Sequence, residues 1–512
     1  MGVVVVGEFT GDEARALASS LRRLMQLTAN LVEQDGEAAP LIARLREHLG
    51  CELAQVLSVA TRFEAWEHVN LQRGVDAYLA ERTPDAQWFG VGGQHRGHED
   101  IMGMLLAARH SVGYGLGSAD YATAAVGPED SVEVVQLGLV PTTAPDGTPV
   151  LVGIRGSNDF GPPACRLEVL AADRAAARAV GGEIERLMRE HDVFRRQVLA
   201  FGVSEHRGNE LLTFLPRPAL DADDVVLPDG VLDSIEEHVV GIAEHSERLL
   251  AAGRHLKRGL LLHGPPGTGK TRTVRYLMSR LSGCTVILLT GQAMRLIGQA
   301  AALARRLQPS MVVVEDVDLV AMDRGYAAGP TNPLLFTLLD AMDGVGADAD
   351  VTFVLTTNRA DELERALADR PGRVDLAVEV PRPDAAGRRR LIELYGRGVD
   401  LRADLDPVVE ATEGVTASFI KELLRRAVLG AVRADGGGGG VPVVGDELAD
   451  VARAMADERA SLTGILLGGA ESTASTASTA GTAGTAGMTG PGPARPGLAP
   501  PQGFAVRATK RY

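Results

Sequence analysis

Lysine is almost missing from this chain. It stands only at Lys257, Lys270, Lys421 and Lys510, among 52 lysines and arginines, so a lysine inside a motif carries unusual weight. Cysteine is as scarce: Cys51, Cys165 and Cys284 are odd in number, far apart and free of CxxC or Cys/His ligand spacing. That excludes a disulfide framework and a cysteine metal site, and leaves plain buried thiols in a reducing compartment. Long apolar runs are absent too. No stretch reaches the ~18 residues of a membrane span, and the VVVV of residues 3 to 6, followed by Glu8 and Asp12, is too short for a signal-peptide core. A cytoplasmic location without a transmembrane segment is expected. An excess of positive charge is also lacking. The formal net charge of -15 opposes the clustered cations that a phosphate backbone demands, so no nucleic-acid partner is expected.

The 512 residues, 45% of them hydrophobic, suffice for roughly two to four domains. Residues 1–84 read as a helical N-terminal unit, since ARALASSLRRLMQLTANLV and LIARLREHLGCELAQVL place apolar residues at three-to-four spacing. Residues 85–201 read as a β-rich module of short runs such as SVEVVQLGLV, PVLVGIRG and CRLEVLA between Gly, Pro and Asp turns, closed by a charged connector helix from 172. From 202 to 383, after a Pro-containing linker, the apolar strands RGLLLHG, CTVILLTG, MVVVED and VTFVLTTN alternate with helical segments. That is the rhythm of a parallel sheet with crossover helices. Residues 384–468 are helical again and suggest a lid, interrupted by the flexible run Gly436 to Gly440. The Ser/Thr/Ala/Gly/Pro repeats of 469–512 cannot bury enough apolar surface to offset ordering entropy, so a disordered tail is expected.

GPPGTGKT fills Gly264, Pro265, Pro266, Gly267, Thr268, Gly269, Lys270 and Thr271, between an apolar strand and a helix-compatible segment. A phosphate loop needs this context: glycines let backbone N–H groups wrap the anion at a helix N-terminus. Lys270 would neutralise the β and γ phosphates of ATP, and the Thr271 hydroxyl would ligate Mg²⁺. The apolar run MVVV then ends in Glu315 and Asp316. By position Glu315 takes the metal and Asp316 the water, as general base. Strand side chains alternate between faces, so the two acids are not expected to exchange duties. Each arm differs from the more common Asp-Glu order by one methylene, which moves a carboxylate by about 1.5 Å. Asn358 ends the next apolar strand and can orient the attacking water. Arg370 and Arg373 flank a Pro-Gly turn and are either guanidinium groups for phosphoryl-transfer charge or ordinary surface charge.

With NPLLFTLLDAMDGV at 332–345, TTN at 356–358 and ALADRPGRVD at 366–375, the chain resembles the AAA ATPase family of the AAA+ superfamily over roughly 225–467. The resemblance implies an α/β P-loop NTPase domain with a helical lid, here preceded by the helical unit and the β-rich module. It also implies a homo-oligomeric ring, usually a hexamer, with ATP and Mg²⁺ at subunit interfaces. Carried over, Asn358 looks like the sensor, and Arg370 and Arg373 like arginine fingers acting on the neighbouring subunit. VVLPDGVLDSI and the Glu-Asp order are similar to the BCS-type group; without that group's N-terminal membrane helix, the chain looks like a soluble bacterial, chaperone-like relative. Two features depart from the family. Residues 291–310 hold no aromatic pore-loop residue, leaving Arg295, Leu296 and Ile297 as pore lining or, for the two apolar ones, helix core. The lid segment 414–427 offers Lys421 and Arg425 in place of a clear second sensor. The leading expectation is a ring-forming ATPase that remodels protein clients. The alternatives are an ATP-binding switch or scaffold with little hydrolysis and, disfavoured by charge, a nucleic-acid motor.

Overall fold

The computed structural model describes residues 15–24, 40–93, 100–109, 114–157, 164–203, 210–318, 333–359, 373–434 and 443–466. Residues 1–456 form one compact unit and 457–512 a second. The Gly436 to Gly440 run and the tail from 469 lie outside the described residues.

The first layer of structure corrects the N-terminal reading. Residues 15–24 (α1), Pro40–Leu49 (α2) and His68–Arg82 (α3) are helical, but Leu57–Glu64 between the last two is a strand, β1. Its partner is β7 (Ala164–Ala171), antiparallel, with Leu57 opposite Ala171 and Glu64 opposite Ala164. β1 is therefore the edge of a sheet that also contains β4 (Asp120–Ala125), β5 (Ser131–Thr143) and β6 (Pro149–Arg155), in the order β1-β7-β6-β5-β4. A separate antiparallel pair joins β2 (Gly90–Gly92) to β3 (Gly115–Gly117). Only alternate residues of β1 are half-buried, so its apolar signal is thin; this is why the sequence reads as helical around it.

Both faces of the central strands are covered. Val150, Val152, Leu167 and Val169 pack with Leu71, Val75, Val180 and Ile184 of α3 and α5 (Arg174–Glu190). Leu151 and Leu170 point the other way, onto Leu41, Leu45, Met104 and Leu105 of α2 and α4 (Ile101–Arg109). Burial on both sides explains the unbroken apolar runs of β6 and β7. α5, expected as a connector, is thus a packed layer, started by the Asp173 carboxylate accepting the Ala176 N–H at 2.8 Å.

The second sheet has the order β14-β10-β13-β12-β11-β8-β9. Its parallel strands are β8 (Val198–Val203), β10 (Arg258–His263), β11 (Thr285–Leu289), β12 (Ser310–Val314), β13 (Val351–Thr357) and β14 (Leu376–Glu379); β9 (Glu210–Leu215) runs antiparallel to β8. The boundary expected at 201/202 is corrected by β8, which straddles it and pairs Val198 with Val286 of β11. Helices α6 (Lys270–Arg280), α7 (Ile297–Arg306) and α8 (Pro333–Asp343) connect the strands. Alternate residues of each central strand face different cores, Val312 and Val314 one and Met311 and Val313 the other, as in parallel sheets covered on both sides.

Beyond β14, α9 (Ala385–Tyr395), α10 (Leu405–Ala411), α11 (Ala417–Ala434) and the start of α12 (Glu447–Leu466) enclose a core of Ile392, Val408, Ile420, Leu424 and Leu448. Two short parallel strands, β15 (Asp400–Leu401) and β16 (Val443–Val444), close it.

A partly buried ionic junction links the segments that flank the two sheets. Arg306, last residue of α7, pairs with Glu67 at 2.6 Å and Asp192 at 3.1 Å, and the Asn70 amide donates to both acids at 2.9 and 3.0 Å. Burial holds the Asp192 carboxyl above its usual range, with Arg306 opposing that rise. Trp66 meets Phe201 edge-on beside it, at 5.3 Å between centroids. Arg306→Ala leaves two buried acids without their cation, and is expected to destabilise the chain by about 2–3 kcal/mol in urea unfolding; a change under about 0.5 kcal/mol would refute the junction's weight.

Candidate functional site

β10 delivers the chain into the glycine-rich loop, and α6 begins at Lys270. Gly264 has φ +139°, and a Cβ there would sit 2.3 Å from the Val380 carbonyl oxygen, so only glycine lets the loop leave the strand. Gly267, at φ +77°, has its Cβ direction filled 2.7 Å away by the Ser418 hydroxyl of α11. The Ser418 N–H donates to the Gly267 carbonyl at 3.1 Å, so the helical lid starts against the loop. The Thr268 hydroxyl donates to the Pro265 carbonyl at 2.9 Å, while Pro266 is exposed and Gly269 is the N-cap of α6. Thr271, second residue of α6, is exposed. This cradle fits an anion at a helix N-terminus.

Lys270 is 6% exposed. Its ammonium donates to the carbonyls of Gly264 and Pro265 at 2.7 and 2.9 Å and to Asn358 Oδ1 at 2.8 Å. Burial lowers its pKa, with the charges of Asp316 and Asp318 acting in the opposite direction. Asn358 Nδ2 donates in turn to Asp316 Oδ1 at 3.3 Å. Lys270, Asn358 and Asp316 thus form one chain of contacts, drawn from three separate strand ends.

The acids do not sit as strand alternation predicts. β12 ends at Val314, and although the Glu315 N–H still bonds the Leu289 carbonyl at 3.1 Å, Asp316 adopts φ +53°. The left-handed residue turns the chain out of the pleat, so facing is set by the turn and not by period two. The Asp316 N–H donates to Thr356 Oγ1 at 2.9 Å, which secures that turn. Asp318, unassigned from the sequence, is 5% exposed and accepts the Thr357 hydroxyl and the Asn358 N–H, both at 3.1 Å. Its only sequence signal was its place as the third acid of EDVD.

Arg373, expected as a finger, is engaged within its own chain. It is 6% exposed, and its guanidinium forks onto Asp343 of α8 in the same chain at 3.1 and 2.7 Å. Arg370 lies outside the described residues. For a structural pair, a double-mutant cycle of Arg373→Met and Asp343→Asn is expected to show about 1 kcal/mol of coupling in stability; additive effects would free Arg373 for another role. Leu296 and Ile297 are buried core, leaving Arg295 as the exposed residue of those three. Lys421 is exposed, and Arg425 is taken by Glu422 at 2.6 Å on the lid surface. Among the described residues no cluster of three His, Cys, Asp or Glu could hold a metal by itself. Thr271 and Glu315 fit a cation that takes its other oxygens from nucleotide and water.

Residues 260–382 match the family model for the ATPase family associated with various cellular activities (AAA). Similar proteins include the ATP-dependent zinc metalloprotease FtsH 2 of Symbiobacterium thermophilum, 34% identical over 260 residues, or 47% of this chain and 43% of that protein. The ATP-dependent zinc metalloprotease FtsH of Synechococcus sp. is 33% identical over 252 residues, covering 46% and 38%. The ATPase family gene 2 protein homolog A of Homo sapiens is 33% identical over 236 residues, covering 42% and 26%. The chain therefore spans less than half the length of these curated relatives. It contains no H-E-x-x-H pattern, so the zinc-protease part of those names has no counterpart motif here.

Proposed function

We propose that this chain, whose residues 260–382 match the AAA family model, is an ATP hydrolase built on an α/β P-loop unit, forms a homo-oligomeric ring, a hexamer, and spends ATP on conformational work upon protein clients. The observation that carries the reading is the contact chain Lys270–Asn358–Asp316 at 2.8 and 3.3 Å. Lys270 and the loop N–H groups would hold the phosphates, and Thr271 and Glu315 would hold Mg²⁺. Bound Mg²⁺ supplies neutralisation of charge on the phosphate oxygens. Asp316 accepts the water's proton, Asn358 orients that water, and Arg370 of a neighbouring subunit completes the site.

The location proposed is the cytoplasm, without a nucleic-acid partner; among the described residues no helix is long and apolar enough to cross a membrane. The missing aromatic after β11 and the buried Leu296 and Ile297 favour holding or remodelling clients over threading them. The Glu-Asp order supports a kinship with the BCS-type group, chaperone-like in use. A second reading, a nucleotide-gated scaffold, draws on the short Asp316 arm. Phosphate release per subunit, followed across a dilution series with sedimentation in parallel, tests the ring. Turnover should rise as subunits assemble, and turnover independent of assembly would sink the proposal.

A further inference from the structure

The ends of β12 and β13 are fastened to each other by more than the sheet. Thr356 Oγ1 accepts the Asp316 N–H at 2.9 Å, and the next threonine, Thr357, donates its hydroxyl to Asp318 at 3.1 Å while accepting the Arg359 N–H at 3.0 Å. Asp318 Oδ1 also takes the Asn358 N–H at 3.1 Å. The sensor residue is therefore gripped at three atoms. Its main-chain N–H is on Asp318, its amide oxygen is on Lys270 at 2.8 Å, and its amide nitrogen is on Asp316 at 3.3 Å. Two of these contacts belong to groups that must engage ATP and water. The third, to Asp318, belongs to a buried carboxylate with no task in the proposed chemistry.

We infer that Asp318 is a positioning residue of the hydrolytic site: by accepting the Asn358 N–H and the Thr357 hydroxyl, it sets where the sensor amide stands between Lys270 and Asp316. This deepens the hydrolysis reading and rests on it. A short side chain whose main chain is fixed has few places to put its head group, and a displacement of about 1 Å at such a site costs on the order of a hundredfold in rate. What Asp318 supplies is acceptance of hydrogen bonds, which an asparagine carbonyl at the same place also provides. Its effect is thus separable from that of a buried charge.

The test compares Asp318→Ala, Asp318→Asn and Thr357→Val in the full chain. Amide hydrogen exchange, read by mass spectrometry on nucleotide-free protein, is expected to quicken at Asn358 by about tenfold in Asp318→Ala, stay within about threefold of the parent in Asp318→Asn, and leave β11 unchanged in both. In phosphate release, Asp318→Ala is expected to lower kcat about 30-fold with affinity for a fluorescent ATP analogue within about threefold, Asp318→Asn to recover most of that loss, and Thr357→Val to lose about tenfold. Unchanged exchange at Asn358 in Asp318→Ala overturns the inference. So does an asparagine variant as damaged as the alanine variant, or a Thr357→Val enzyme with parental kcat. Should Asp318→Ala fail to fold, Asp318→Asn and Thr357→Val decide the matter. A parent that releases no phosphate counts against the hydrolysis reading, while the exchange data still show whether Asp318 holds Asn358.

Discussion

Asp316→Asn is expected to lower ATP turnover by about two to three orders of magnitude while ATP affinity stays within about threefold. The substitution keeps the size of the side chain and an oxygen toward Asn358 Nδ2, 3.3 Å from Asp316 Oδ1 in the parent. What it removes is the lone pair that accepts a proton. Affinity should be spared because the proposed nucleotide contacts are the loop, Lys270 and Thr271, and loss of one negative charge near Lys270 does not weaken an anion's attraction. Phosphate release and a fluorescent-nucleotide titration on the same preparation read the two quantities. Turnover in Asp316→Asn within about threefold of the parent would assign the base elsewhere and favour the scaffold if the parental rate is itself negligible.

Lys270→Ala is expected to weaken ATP binding by about a hundredfold or more, since two charge-assisted hydrogen bonds to phosphate oxygens at about 1.5–3 kcal/mol each are lost. Lys270 is 6% exposed, with its ammonium held on the loop carbonyls of Gly264 and Pro265. The variant also strips the carbonyls of Gly264 and Pro265 and the Asn358 oxygen of their donor, so a lower melting temperature is expected without nucleotide. Titration by calorimetry with Mg-ATP checks the first effect and a thermal melt the second. Parental affinity in a folded Lys270→Ala protein would show that GPPGTGKT is not the phosphate site. Lys270→Arg is not a neutral control, because a planar fork does not fit where a compact ammonium bonds three oxygens.

Lys270 sits in a run of consecutive motif residues, whereas the contacts of Asp316 come from a distant strand. The glycine-rich loop before a helix start is legible because its residues are consecutive and its requirement, glycines at positive φ, is a local backbone one. The parallel sheet was legible from β10 to β13 because strands buried on both faces spell out apolar runs. β1 and β8 were not. An edge strand with only alternate residues half-buried, and a strand whose partner β11 is nearly 90 residues away by the Val198↔Val286 register, announce themselves only through pairing.

Asp318 and Arg373 make the same point from opposite sides. One carboxylate carries no assignment in the sequence and is buried against Asn358; one guanidinium resembles a finger and is held by Asp343 of its own chain. Residue type and spacing determined that this chain has a glycine-rich loop before a helix, an acid pair after one strand and an asparagine after the next, on a parallel α/β frame. Which acid grips the sensor, which arginine is spoken for, and how the N-terminal sheet is tied through Arg306 to Glu67 and Asp192 were decided by tertiary structure. A side chain's partner depends on elements far apart in the chain being brought within about 3 Å, a distance that no local pattern encodes.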